Sequence, residues 1–291
     1  MAPSSLVQAA VNGVLVGSLY SVMAIGLTII FGVMRVINMA HGDLIMLGMY
    51  VAYWLFSLHG AGQPIALIVS LPIFLAAGAL IYAGIVGRAE RRAGEMGTLL
   101  ATAGLSYVLA NSAQLAWKAD FRSLPSALSG ASFTVGGVAV NFSLLSAFVS
   151  AGILAAATYG FLIYTDAGRA IRAASQDRMA AALVGVPIHR TNIGAFALGS
   201  ALAGMAGVLL TPVFYVYPYV GRIFVVKAFV VVVLGGMGSV IGATLGGVLF
   251  GVVESVVSLF IPSGYRDAIG LVIFLLVLLF RPSGLFGRSR L

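Results

Sequence analysis

The chain has 291 residues, of which 61% are hydrophobic and only 8% charged, and its mean hydropathy is +1.10. A soluble domain carries about 25% charged residues, so this composition excludes a soluble globular fold and predicts an all-α, polytopic helical membrane protein. The lack of cysteine excludes disulfides, thiol catalysis and Cys-based metal sites, and no basic face with interleaved aromatic residues indicates a nucleic-acid partner.

The first half of the chain contains several apolar runs of the length that crosses a bilayer, about 20 residues. Basic residues begin only at Arg35, so the first run is predicted to be a span and not a cleaved signal. Predicted spans cover 6–33, two parts of 40–88 that divide at the turn cluster 59–64, then 98–117 and 143–164, with a polar stop at 88–95.

Two details qualify these spans. Asn12, Gly13, Gly17 and Tyr20 lie approximately along one face of the first span, and small residues at such spacing usually pack helix against helix. Residues 118–141 are the longest weakly hydrophobic stretch, and the glycine pair at 136–137 indicates a hairpin there.

The polar segment 165–190 follows the fifth span and holds six charged residues: Asp166, Arg169, Arg172, Asp177, Arg178 and Arg190. Residues 166–184 are predicted to form one helix, which stops at Gly185 because a glycine followed shortly by proline is a common helix end. Arg169, Arg172 and Gln176 would share one face of it.

The second half contains a span at 193–211, an aromatic stretch at 212–222 typical of membrane interfaces, and a last span at 268–280 before a basic tail. Residues 223–260 are interrupted by the sequence GGMGS at 235–239 and are too long for one span. The prediction is about eight spans plus broken or re-entrant helices, in a single transmembrane domain over residues 1–291.

Orientation follows from the distribution of basic residues. If the spans alternate and 223–260 enters and leaves on one side, eleven Lys and Arg fall on the face of the polar segment and tail, and four on the other. The positive-inside rule then predicts that the polar segment and the C-terminus are cytoplasmic and the N-terminus periplasmic.

Polar residues near 38–43 are candidates for a substrate pathway. Asn38 and His41 would share a helical face, and Gly42 would allow a break before Asp43. One interpretation is that Asp43 caps the second span and His41 is a satisfied interfacial histidine. The other is that a broken helix lines the pathway, since irregular backbone at membrane depth needs protein or a wet cavity around it. The two are compatible.

The second break supplies further pathway candidates, Gly235, Gly236 and Gly238, because paired glycines weaken a helix by roughly 1 kcal/mol each. Glu254 is another, since an acid inside a membrane segment is by default a functional hypothesis. The alternative is that Glu254 lies near the periplasmic end of its helix. Asn12 and Tyr20 on the first span complete the predicted pathway set.

Three segments, 26–52, 234–247 and 276–287, resemble the signature segments of the branched-chain amino acid ABC-transporter permeases, H-type subunit, and they occur in the family's order. The resemblance implies a subunit of the bacterial inner membrane that pairs with a homologous permease. It also implies two cytoplasmic ATPase subunits, which would carry the ATP, and a periplasmic solute-binding protein, with no cofactor in this chain.

Permeases of ABC importers carry a coupling motif, EAAxxxG, that docks on the ATPase. Here Ala180, Ala181 and Gly185 match it, whereas Met179 stands where the motif has Glu. With Arg169, Arg172, Gln176 and Asp177 these residues form the predicted ATPase-coupling set. The alternative is an ordinary solvated cytoplasmic loop.

The chain has no GxxxxGK[ST] phosphate loop, no His spacing that suits a metal and no nucleophile–base pair, so it is predicted not to be an enzyme. The main interpretation is the membrane-spanning subunit of an ATP-driven importer of branched-chain or related amino acids. The alternatives are a permease of the same family for urea, amides or aromatic or carboxylic acids, and a self-contained secondary transporter. Selectivity is expected to lie mainly in the binding protein.

Overall fold

The structure is a computed structural model that describes residues 3–124, 132–135, 137–262, 265–281 and 284–285. The helices are α1 Pro3–Met34, α2 His41–His59, α3 Gln63–Ile81, α4 Gly87–Trp117, α5 Phe142–Tyr164, α6 Asp166–Gln176, α7 Arg178–Leu183, α8 Ile188–Leu210, α9 Val220–Gly235, α10 Val240–Val257 and α11 Arg266–Phe280, and the strands are β1 Ser132–Val135 and β2 Val138–Asn141. This helical, apolar chain confirms the predicted all-α membrane fold.

Five helical stretches in the described part of the chain are long and apolar enough to cross a membrane, so the predicted count of about eight is not confirmed. Helices α3 and α4 form one 55-residue stretch, Gln63–Trp117, because a π-helical turn, Tyr82–Val86, joins them. The polar stop predicted at 88–95 is a kink inside α4, where Gly94 has φ +60°. Helices α9 and α11 have only 16 and 15 residues.

Helices α1 and α8 form the centre of the bundle. In each of them, 83% of the residues in the apolar, 18-residue part are buried. Helix α10 packs along α1, where Gly13 and Gly17 face its backbone at Gly251 and Gly247. Without side chains at these positions the two backbones come close enough for extensive van der Waals contact. The packing face predicted for the first span is therefore confirmed.

The hairpin predicted within 118–141 is present. Strands β1 and β2 are antiparallel, with Val135 opposite Val138; Gly136 lies outside the described residues. Gln8 of α1 holds the hairpin, because its Nε2 donates to the carbonyl of Ala139 and its Oε1 accepts from the N–H of the same residue, both at 2.8 Å.

The polar segment 165–190 forms two helices, α6 and α7, and the prediction of one helix over 166–184 is wrong. Asp177 adopts extended backbone between them. Its Oδ1 accepts hydrogen bonds from the N–H groups of Met179 and Ala180 at 2.9 and 3.0 Å, so it caps α7. The predicted stop is confirmed, since α7 ends at Leu183 and Gly185 has φ +89°.

Helices α9 and α10 form a hairpin whose turn is the predicted glycine break. Gly236 and Gly238 have φ of +96° and +87°, which favours glycine, and Ser239 caps α10. Gly238 lies next to Gly32, close to the end of α1 at Met34, so the turn is level with a helix end. Leu285, which follows α11, donates its N–H to the carbonyl of Leu234 at 2.8 Å.

Two sequence features extend beyond the described residues. The turn predicted after 260 includes residues 263–264, which lie outside them. So do two of the three arginines in the basic tail, Arg288 and Arg290.

Candidate functional site

Helix α2 begins inside the bundle. The Nε2 atom of His41 lies 2.9 Å from the carbonyl oxygen of Met23, which precedes the end of α1 at Met34 by about 16 Å along a helix that rises 1.5 Å per residue. His41 is fully buried. The non-helical residues 35–40 therefore turn back along α1, and His41 is enclosed by the bundle beside the middle of α1.

The polar residues at this break have different roles from those predicted. Ala40 is the N-cap of α2, so Asp43 lies in the first turn and does not cap the helix. Asn38 precedes the helix, shares no helical face with His41, and accepts a hydrogen bond from the N–H of Ala40 at 3.1 Å. Asp43 is buried, with Ser106 and Arg222 as polar neighbours.

A second polar cluster joins three helices, and its Glu254 lies in the last turn of α10, near a helix end as the alternative interpretation had it. Lys227 of α9 forms an ion pair with Glu254 of α10, and both side chains are almost completely buried, with 6% of each residue exposed. The Nζ atom of Lys227 also lies 3.3 Å from the hydroxyl of Tyr20 on α1 and 5.2 Å from the centre of its ring. The pair therefore ties α9 and α10 to the middle of α1.

This ion pair lies between two cavities. The larger, of about 500 Å³, is bounded by α1, the segment 213–217, α9 and α10, and is lined by Val16, Tyr20, Phe121, Val213, Phe214, Tyr215, Tyr217, Val220, Ile223, Phe224, Lys227, Gly251, Glu254, Ser255 and Ser258. The smaller, of about 240 Å³, reaches α11, and Lys227 and Glu254 line it as well. Among the described residues that line the larger cavity, these two carry the charges.

The structure brings together only part of the predicted pathway set. Tyr20 and Glu254 meet at the larger cavity, whereas Asn12 accepts a hydrogen bond from Gln8 at 3.2 Å, near the hairpin. The glycines at 235, 236 and 238 lie in the α9–α10 turn, and Asn38, His41 and Asp43 line the separate break before α2. The predicted pathway residues therefore lie at four distinct places in the bundle.

Lys227 is a site residue that the sequence pattern alone does not single out. It lies among valines in an apolar helix, and its partner is on the next helix. One signal was available: a basic and an acidic residue both occur inside the apolar segments on either side of the glycine turn. Opposite charges within one helical hairpin of a membrane protein are expected to pair, because neither is tolerated alone in a low-dielectric environment.

The segment 165–190 presents a mixed surface. Arg169, Arg172 and Gln176 are exposed on α6, and Arg169 forms an ion pair with Asp166. Beside them is an apolar surface, here named the α7 patch, made of Met179, Leu183 and Val184, which are 77%, 83% and 80% exposed. Of the two motif alanines, Ala181 is buried and Ala180 exposed. Exposed apolar side chains grouped in this way are typical of a protein interface.

A hydrogen-bonded cluster anchors α7 to the bundle. Glu90 of α4 accepts hydrogen bonds from Arg178 at 2.8 Å and from the hydroxyl of Tyr82 at 2.7 Å. Asn192 of α8 donates to the same hydroxyl at 3.0 Å. Arg178 is the first residue of α7, so this cluster connects the α7 patch with α4, α8 and the π-helical turn that contains Tyr82.

Comparison with known proteins identifies the family. The sequence model described as "Branched-chain amino acid transport system / permease component" matches residues 9–280. The chain is 34% identical to the high-affinity branched-chain amino acid transport system permease protein LivH of Escherichia coli, over 95% of this chain and 94% of that protein. It is 33% identical to BraD of Pseudomonas aeruginosa, over 97% and 95% of the two chains. No solved structure matches it.

Proposed function

The chain belongs to the branched-chain amino acid transport permease family, and on this basis we propose that it is the membrane-spanning subunit of an ATP-driven importer. It would form the translocation path for branched-chain or related amino acids, which its relatives are named for transporting. The family consists of transport permeases, so the chain is a multi-pass membrane protein and not an enzyme. ATP hydrolysis is assigned to separate partner chains, and this chain needs no cofactor of its own.

The observation that carries the proposal is the α7 patch. A secondary transporter works alone and has no need of an apolar docking surface outside its membrane helices, whereas a subunit driven by an ATPase needs one. The patch has Met179 in place of the usual Glu, so its contact would be apolar, with the exposed arginines of α6 beside it. The ion pair between Arg178 and Glu90 supports the same interpretation, because it links the patch to the membrane helices.

We propose the remaining parts of the complex from the chain's membership of this family. We assign two cytoplasmic ATPase subunits to the complex, one of them docked on the segment 165–190 of this chain. A homologous second permease is the partner in the bilayer, and a periplasmic solute-binding protein docks on the opposite face. The segment 165–190 and the C-terminus would face the cytoplasm and the N-terminus the periplasm of a bacterial inner membrane. Termini on opposite sides require an odd number of crossings in the single domain. Nine crossings, close to the predicted eight, result if Gln63–Trp117 crosses twice, through α3 and α4, and α2, α9 and α11 also cross the membrane.

Uptake of radiolabelled leucine into proteoliposomes tests the proposal. The complete complex, with binding protein outside and ATP inside, is expected to accumulate leucine, and omission of the ATPases is expected to abolish uptake. Accumulation that persists without the ATPases and follows an ion gradient would instead establish a secondary transporter. If uptake is saturable for urea, an amide or a carboxylic acid but not for leucine, the chain belongs with another substrate class.

A charge placed in the α7 patch is expected to break the contact with the ATPase. The Leu183→Asp variant should reduce ATP-driven leucine uptake at least tenfold, because a carboxylate buried in an apolar interface without a partner costs several kcal/mol. Ala119→Asp, which adds the same charge at an exposed position beyond the end of α4, is the control and should transport normally. Equal uptake by the two variants would remove the α7 patch from the coupling surface.

A further inference from the structure

We propose that the buried Lys227–Glu254 pair is a binding site for the two charged groups of a zwitterionic amino acid at the wall of the larger cavity. The inference rests on the proposed transport function and specifies the substrate class that the membrane subunit itself recognises. The binding protein would still select among side chains, and the permease would require both an ammonium and a carboxylate.

The pair is a poor device for stability alone. Moving two charges out of water costs several kcal/mol per ion, and replacement of a buried pair by apolar residues of similar size is often neutral or stabilising. Lys227 and Glu254 are buried in a chain where charged residues make up 8% of the sequence. Ionisable side chains within membrane segments typically mark a substrate or ion pathway.

The cavity beside the pair has the size and lining that an apolar amino acid requires. Its volume of about 500 Å³ lies within the roughly 300–1,000 Å³ of small-molecule sites, which are mostly apolar with a few placed polar groups. Val16, Phe214 and Phe224 supply an apolar wall. The hydroxyl of Tyr20, 3.3 Å from the Nζ atom of Lys227, supplies a further polar group.

Charge balance favours a zwitterion over the other candidate substrates. A carboxylate that binds Lys227 and an ammonium that binds Glu254 convert one buried ion pair into two, so neither protein charge is left alone. A carboxylic acid without an amine would take Lys227 and leave Glu254 unpaired, at the high cost of an isolated buried charge. Urea and simple amides carry no charge with which to separate the pair.

The position of the pair also suits passage through the bundle. Lys227 and Glu254 line both the larger cavity and the one of about 240 Å³ toward α11. They therefore form part of the wall between the two spaces. A ligand that separates the two side chains from one cavity opens the wall toward the other, so binding and opening are the same event.

Ligand binding by the purified full-length chain in detergent tests the site without the ATPases or the binding protein. Saturation-transfer NMR would compare leucine with its α-hydroxy acid, which lacks the ammonium, and with its decarboxylated amine, which lacks the carboxylate. Leucine is expected to bind at least tenfold more tightly than either analogue. Equal binding of all three, or no binding of leucine, would overturn the proposal.

The decisive variant is the double replacement Lys227→Met with Glu254→Leu, because it removes both charges and leaves no unpaired partner. It should unfold at the same temperature as the unmodified protein within a few degrees, yet bind leucine at least tenfold more weakly. Lys118→Met, at the chain's other lysine, which is exposed, controls for loss of a lysine charge. Undiminished leucine binding by the double variant would show that the pair is only a structural link.

The two proposals fail separately. Leucine binding that depends on the pair, combined with uptake that needs no ATPase, would refute the importer and keep the site. ATP-driven uptake at the normal rate in the double variant, with undiminished leucine binding, would refute the site and keep the importer.

Discussion

Replacement of Gly48 by alanine is expected to destabilise the folded protein, because the added methyl group would push α2 away from α8. Helix α2 contacts α8 through backbone at this point, and an added Cβ atom would lie 2.8 Å from the Cα of Gly204, where real contacts are longer than 3 Å. Overpacking of this kind costs about 3 kcal/mol. Titration of the purified protein with SDS, followed by circular dichroism, measures the loss.

The matched control is the same substitution on α5. Gly152 is exposed, and a Cβ atom there would meet nothing within 4 Å. Since alanine is a better helix former than glycine by about 1 kcal/mol, Gly152→Ala should leave stability unchanged or slightly raised. Equal stability of the two variants would show that α2 and α8 are not in backbone contact.

Loss of the charge at Glu90 is expected to uncouple ATP hydrolysis from transport. Glutamine at this position can still bond Tyr82 and Asn192, but it loses the ionic attraction to Arg178 at the start of α7. Because Arg178 is about half exposed, the change in unfolding free energy should stay below about 1 kcal/mol. Leucine uptake driven by ATP should fall about tenfold while ATP hydrolysis by the complex continues.

A double-mutant cycle separates transmission through the pair from direct contact of Arg178 with an ATPase. If the pair transmits, Glu90→Gln, Arg178→Gln and their combination should all reduce uptake to a similar extent, because each removes the same interaction. Additive losses would mean that the two residues act independently. Asp120→Asn, at an exposed acid beyond the end of α4, is the control and should transport normally.

Hydropathy and glycine spacing predict much of this fold, because a membrane imposes length and polarity on every span. The packing face at Gly13 and Gly17 follows from residue size alone, and the hairpin near Gly137 follows from turn chemistry. The number of spans is less well predicted by hydropathy and glycine spacing. Helices α9 and α11 are short, and whether short helices cross a bilayer depends on neighbours that the sequence does not display.

The break at Asp177 shows where local pattern is ambiguous. The residues on both sides are rich in alanine and arginine, which favour a continuous helix. The Asp177 carboxylate instead accepts hydrogen bonds from the N–H groups of Met179 and Ala180. An aspartate side chain can compete in this way with the helical hydrogen bonds of the backbone. Helix propensity predicts a helix on either side of Asp177, but it does not decide whether the aspartate continues one helix or caps a second one.

The candidate site required tertiary information for a different reason. Glu254 could be singled out as an acid in a membrane segment, but its partner Lys227 and the contact with Tyr20 depend on how three helices pack. The break before α2 lies at 35–40, whereas it was predicted at Gly42, which is inside the helix, and the roles of Asp43 and His41 differ from the predicted ones because α2 begins at His41. Positions were predictable from residue type, whereas partners were not.

The hydrogen bond from Leu285 to Leu234 determines when, during synthesis, the turn between α9 and α10 can be completed. The carbonyl of Leu234 lies in the last turn of α9, where helix geometry provides no partner, and a buried carbonyl is costly to leave unpaired. Its donor leaves the ribosome only after α10 and α11 have been made. The hairpin of α9 and α10 therefore lacks this hydrogen bond until Leu285 has been made and has reached it.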